Sequence, residues 1–343
     1  MSTLEKIHSR PPTTLPSKQT AALAEKPKRG LKYTIAAVVG LLGLGLYLII
    51  WYWSLEPETF DVTEAAMRRA DVQDAKELPN GYVFSNALAE IAETLLNKPG
   101  GFIFNDIFPG TLMDNMPSWE YGALVMMRDA ASALRNHFAR AQSQSKENLD
   151  LSKAEPLFYF DNDSWILPTT EGEYEKGIKH LKGYMRDLKD PASAKAHFYA
   201  RSDNLISYLD VVIKRLGSLS YRLSASSIQK HQYDLEGNLL TVKTPWLDVD
   251  DVFYEARGAT WALLHLFRAI EVDFHATLKG KAALATVGRM IHEFEDSQAT
   301  VLSPMILNGG GFGIFANYSL TMANYITRAN AATLDLRDLL IRG

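Results

Sequence analysis

The sequence predicts a mainly α-helical protein: an N-terminal transmembrane helix, then a large extracytoplasmic helical bundle with at most a small hairpin. Three observations carry this prediction. Tyr33 to Leu55 is a run of twenty-three residues without a charge. Beyond it, apolar residues recur at three-and-four spacing, the period of an amphipathic helix. A convincing strand signal occurs only around Gln232 to Val242, where Glu236-Gly237-Asn238 suits a hairpin turn.

The elements follow in chain order. Residues 1–32 read as a disordered basic tail on the cytoplasmic side. Pro11, Pro12, Pro16 and Pro27 interrupt a Ser/Thr/Lys-rich stretch with little apolar surface to bury. Seven Lys/Arg against two Glu give this tail a net charge of +5, and the rest of the chain is net −9. The acidic bulk argues against nucleic acid as a partner. A tail of this length also leaves no room for a cytoplasmic output domain, which needs about 100 residues.

Residues 33–55 form the span. As a helix the run is about 34 Å long at ~1.5 Å per residue, enough for a hydrocarbon core of ~30 Å. Trp51, Tyr52 and Trp53 at its end suit the headgroup interface, and Lys26, Lys28, Arg29 and Lys32 before it predict a cytoplasmic N-terminus. A cleaved signal peptide would have a shorter apolar run and small residues before the cut, so the segment reads as an uncleaved signal anchor. Within it, Ala36, Gly40 and Gly43 lie on one face at small-residue spacing, which predicts packing between two spans and a homo-oligomer.

The outer region divides into an N-terminal helical part (56–150) and a C-terminal one (151–343), with the boundary in the polar 143–172 stretch. Phe84, Leu88, Ile91 and Leu95 predict one helix, ended by Pro99-Gly100-Gly101. Leu124 through Ala141 predicts a second with Ser118 as its N-cap. Leu205 through Leu223 alternates fours and threes and predicts a third. A single long helix is expected from Phe253 to Leu278, closed by Gly280, with Asp248, Asp250 and Asp251 favouring its N-terminal dipole. Val287 to Val301 and Phe315 to Leu340 predict the last two. Twenty-two Gly and fourteen Pro exclude collagen-like sequence, and with no cysteine there are no disulfides, thiolate zinc sites, iron–sulfur clusters or cysteine nucleophiles.

Leu78-Pro79-Asn80-Gly81, Pro99-Gly100-Gly101-Phe102, Pro117-Ser118-Trp119-Glu120-Tyr121-Gly122 and the tail from Ala316-Asn317-Tyr318-Ser319-Leu320 through Ala329-Asn330-Ala331-Ala332 carry a family likeness. With the preceding span, they resemble a domain-of-unknown-function family of proteobacterial single-pass inner-membrane proteins. The resemblance covers nearly the whole outer region. It implies a Gram-negative envelope location and brings no catalytic residues.

The candidate chemistry is thin. His292, Glu295 and Asp296 share one helix face, and His265, Glu271 and His275 lie along another. Together they are the only candidate metal ligands, between two helices as in di-iron bundles. The Glu-x-x-His spacing of those bundles is missing, and solvated polar faces are the plainer reading. Asn308-Gly309-Gly310-Gly311-Phe312-Gly313 lacks both the preceding strand and the Lys-Ser/Thr of a phosphate loop. It reads as a tight helix connection or a partner-binding loop. Asp161-Asn162-Asp163-Ser164 begins like a calcium loop, but Ile166 and Gly172 stand where such a loop needs Gly and Glu.

The expected function is therefore a single-pass inner-membrane protein whose periplasmic helical domain binds an envelope protein partner, as scaffold or accessory subunit. No cofactor, metal or catalytic residue is expected. The alternative is a membrane-tethered periplasmic enzyme on a cell-envelope substrate, resting on the His/carboxylate stripes alone.

Overall fold

The computed structural model describes residues 28–105, 110, 113–141, 146–225, 230–233, 239–242, 245, 248–301 and 318–342. The chain divides into two units, Met1–Trp51 and Tyr52–Gly343. The described part of the first unit belongs to α1 (Lys28–Trp53), whose Lys32–Trp53 portion is long and apolar enough to cross a membrane and has no buried residue.

In the second unit the described elements are helical apart from one hairpin. Helix α2 (Val62–Ala70) starts at Asp61, whose carboxylate accepts from the Thr63 and Glu64 amides. Helix α3 (Tyr82–Asn97) starts at Gly81, which has φ of 86°. A side chain there would collide with the Phe198 ring, 2.1 Å from an added Cβ. Helix α4 spans Asn115–Ala133 and runs on into a π turn at Leu134–Phe138. Its cap is Asp114, so Ser118 falls inside the first turn, where its hydroxyl donates to Asp251 at 2.9 Å. The polar 143–172 stretch contains a helix that its weak apolar period hid: α5 (Leu149–Phe158), capped by Asn148. Helix α6 (Thr170–Lys189) follows, capped by Thr169.

Helix α7 (Ser202–Ala225) matches the Leu205–Leu223 stripe. Strands β1 (Lys230–Tyr233) and β2 (Leu239–Val242) pair antiparallel, Lys230 opposite Val242. The expected long helix is two: α8 (Val249–Asp273) breaks at Phe274, and α9 runs from His275 to Gly280. Phe274 is fully buried, and its ring meets Phe138 and Phe198 at 5.1 and 5.5 Å. At Phe274 the backbone leaves helical values, with φ of −101° and ψ of 12°, while the i→i−4 bonds from Phe274 to Ile270 and from Leu278 to Phe274 persist on either side. Helices α10 (Leu284–Ser297) and α11 (Tyr318–Arg342) complete the body.

Helix α8 is the centre. Ala256 to Phe267 is buried without interruption, the mark of a helix covered on every side. It packs chiefly on α4, with α3, α10 and α11 against its other faces, while α7 lies mainly on α11. The contact with α4 is backbone on backbone. A Cβ on Gly122 would lie 1.9 Å from the Glu255 carbonyl oxygen, and one on Gly258 would lie 1.9 Å from that of Trp119. Where the helices cross, the Trp119 and Trp261 rings meet at 5.1 Å.

Candidate functional site

The histidine–carboxylate candidates do not assemble. His265 lies on the buried centre of α8, not on a solvated stripe. Its Nε2 accepts the Phe60 amide at 3.0 Å, so Nδ1 carries the proton and donates to the Trp261 carbonyl at 2.7 Å. Burial holds this imidazole down at about 3, neutral throughout the physiological range. His275 is exposed on α9 and Glu271 is half-buried. His292 stands in solvent on α10, 3.9 Å from Glu295 and 3.7 Å from Asp296. Glu295 is engaged by Arg268 of α8 at 2.7 Å. Among the described residues, no three His, Asp or Glu side chains come together in a group that could hold a metal ion.

His265 instead belongs to a strap. Arg257, Trp261 and His265 recur every fourth residue along one face of α8. Opposite them, alternate residues of the segment after α1 take hydrogen bonds. Glu56 receives Arg257 through Nε and Nη2 at 2.9 and 2.6 Å. The Glu58 carbonyl accepts from Trp261 Nε1 at 3.4 Å, and Phe60 donates to His265 and stacks on its ring at 3.9 Å. The match is geometric: four helical residues rise about 6 Å and two extended residues about 6.6 Å. Arg257 also donates Nη1 to the Ser297 and Ala299 carbonyls, tying the end of α10 to the same point.

A second buried polar centre shapes the turn after α3. Lys98 and Glu120 pair at 2.5 Å with both side chains out of solvent. Glu120 accepts the Ile103 and Phe104 amides, and Lys98 donates to the Gly101 carbonyl at 2.7 Å. Burial pushes the Glu120 carboxyl up, against the opposing pull of Lys98 and the two amides. Gly100 and Gly101 at φ of 86° and 72° allow the reversal.

Among the described residues, the loop between α5 and α6 is the most exposed apolar feature outside α1. Trp165, Ile166 and Leu167 are 57%, 59% and 90% exposed, and Tyr159 stands 49% exposed nearby in the chain. The loop is braced from within. Ser164 Oγ donates to the Ile166 and Pro168 carbonyls, Thr170 Oγ1 to that of Asp161, and Asn105 to that of Ser164. Asp161 and Asp163, the calcium-loop residues of the sequence reading, are exposed in this loop.

A family described as uncharacterized proteins conserved in bacteria (DUF2333) matches the chain over residues 26–343. The chain belongs to that family. No curated protein and no solved structure matches it. Within this DUF2333 member, the motifs that carried the family likeness have physical roles. Pro99-Gly100-Gly101-Phe102 is the turn clamped by Lys98 and Glu120, and Trp119 to Gly122 is the face of α4 against α8. Asn308 to Gly313 lies outside the described residues. Ala36, Gly40 and Gly43 are exposed on α1, with nothing within 4 Å of a Cβ at either glycine. The strap and the Trp165–Leu167 tip were not found from sequence. The signals were there, in the Glu56-x-Glu58-x-Phe60 and Arg257-x3-Trp261-x3-His265 spacings and in three apolar residues beside a proline.

Proposed function

We propose that this protein is a single-pass inner-membrane protein, N-terminus in the cytoplasm, whose outer helical domain docks a protein partner of the bacterial envelope. The observation that carries the docking reading is the Trp165-Ile166-Leu167 tip. A braced loop that holds three consecutive large apolar side chains in water leaves their burial to another surface. The flanking Asp161 and Asp163 select a partner whose apolar pocket is rimmed by basic residues. The basic residues before α1 and the aromatic ones at its end support the membrane orientation.

Both parts are testable in cells. The chain has no cysteine, so a single Leu149→Cys variant labels cleanly. A membrane-impermeant maleimide reaches it only if the body is outside. Labelling of Ser2→Cys but not Leu149→Cys reverses the orientation. A photo-crosslinker at Leu167 is expected to trap one discrete partner, lost on Trp165→Ser. Recovery of no adduct, or of one insensitive to that substitution, ends the docking reading.

A further inference from the structure

The Gly122–Gly258 crossing draws α8 onto α4, and α7, packed on α11, leaves a groove of about 600 Å³ beside them. Its floor is apolar, from Val125, Met126, Leu219 and Ala259. Its rim is cationic. Lys214, Arg215 and Arg222 line it with Glu255, and with Asp129 paired to Arg215 the three cations meet two carboxylates, an excess of one positive charge in a chain that is net −9 outside its first 32 residues.

Two ion pairs set the walls. Arg215 gives Nε and Nη2 to Asp129 of α4 at 2.7 and 3.0 Å, and Arg222 gives Nη1 to Glu255 of α8 at 2.7 Å. These bridges hold α7 at its distance, so the groove exists before anything enters it. They leave donors to spare. Arg215 Nη1 is not used by Asp129, and Lys214, exposed on α7, has no anionic partner among the described residues. Lys214, Ser218 and Arg222 follow one another at four-residue spacing, a polar edge above the apolar floor.

We propose that this groove binds a single-chain anionic amphiphile of the fatty-acid type. Its methylene chain lies on Val125, Met126 and Leu219, and its carboxylate is held by Lys214 and Arg215. Neither half of the site suits a simpler ligand. A small hydrophilic anion leaves the apolar floor wet, and an uncharged chain leaves Lys214 and the spare Arg215 Nη1 without an anion. The volume falls within the ~300–1,000 Å³ of small-molecule sites, which favours one chain over a two-chain lipid. This inference is independent of the docking tip, which lies on a different loop.

The test uses the full chain in phosphatidylcholine nanodiscs, photolabelled with a diazirine-bearing palmitate and mapped by mass spectrometry. Label is expected on α4 and α7 around Met126 and Leu219. The matching diazirine-bearing hexadecanol should label these positions roughly tenfold less, the loss of one charge-assisted contact. Lys214→Glu with Ser218→Glu, both at exposed positions, should lower palmitate labelling by a similar factor without moving the unfolding temperature. If that variant is unstable, the wild type decides, because labelling through the cations must fall as salt rises. Equal labelling by palmitate and alcohol, label elsewhere in the body, or label indifferent to both variant and salt overturns the proposal. So does stronger labelling by a diazirine-bearing phosphatidylglycerol, which would make the occupant a bilayer lipid.

Discussion

The Lys98 ammonium lies 2.5 Å from the Glu120 carboxylate, and neither side chain reaches solvent. The pair joins the end of α3 to the first turns of α4, and its spare bonding capacity is spent on the backbone between them. Removing one partner strands the other charge in the interior. Lys98→Met should therefore cost about 3–5 kcal/mol of unfolding free energy. Adding Glu120→Gln should restore much of it, because the amide oxygen still accepts a backbone N–H without a buried charge. Urea unfolding of the two variants reads this directly; equal losses in both would mean that the pair is not coupled.

The α4–α8 crossing makes a second, contrasting prediction. Gly122→Ala and Gly258→Ala each drive a methyl into a facing carbonyl, so the helices must separate. Each should cost at least the ~1–3 kcal/mol of ordinary overpacking. Gly288→Ala is the control. That glycine is exposed within α10 with nothing within 4 Å of an added Cβ, and alanine should stabilise by about 0.5–1 kcal/mol. In thermal melts the first two variants should fall below the wild type and the third above it.

His265 and Asp273, eight residues apart on α8, should give opposite pH dependences. His265 is held down at about 3 by burial. Below about 6.5 the unfolded chain takes up a proton that the folded one refuses, so stability falls as pH falls from there towards 3. Burial pushes the Asp273 carboxyl up to about 7, although it accepts the Gly81 and Phe84 amides at the start of α3. Between about 4 and 7 the folded state keeps a proton that the unfolded state loses, so this group's contribution falls as pH rises. His265→Gln should flatten the acid side of the stability profile relative to wild type. Asp273→Asn should flatten the decline towards neutrality. An unchanged profile in either variant refutes that assignment.

Self-association of α1 is the last prediction. Gly40 lies on a small-residue face with Ala36 and Gly43, where two helix backbones can approach. In a reporter assay of span pairing, Gly40→Ile should weaken the signal, and Leu42→Ile, on another face, should not. Equal signals would exclude that face from any oligomer.

Much of the architecture was legible because its causes are local. A charge-free run of membrane length, a three-and-four apolar period and an acidic first turn are each written within twenty-odd residues. α1, α3, α7 and α11 lie where these signals put them, and α10 starts earlier and ends at Ser297, short of the expected Val301. The errors have local causes as well. Ser118 looks like a cap until Asp114 takes that place, and the apolar period from Phe253 to Leu278 runs on through the irregular backbone at Phe274.

The helical class, the apolar N-terminal segment and most of the helix register depend on neighbours in the chain and are readable there. Which polar residues are interior, and what they hold, depends instead on long-range packing. His265 reads from sequence as part of a solvated polar face and is a buried acceptor for Phe60, 205 residues away. Arg257 meets Glu56 across 201 residues, and Asp273 closes the start of α3 across 192. Burying a polar group is costly unless a partner meets it, and His265, Arg257 and Asp273 are buried where theirs arrive. That arrival is set by how α8 is enclosed, which no local pattern records.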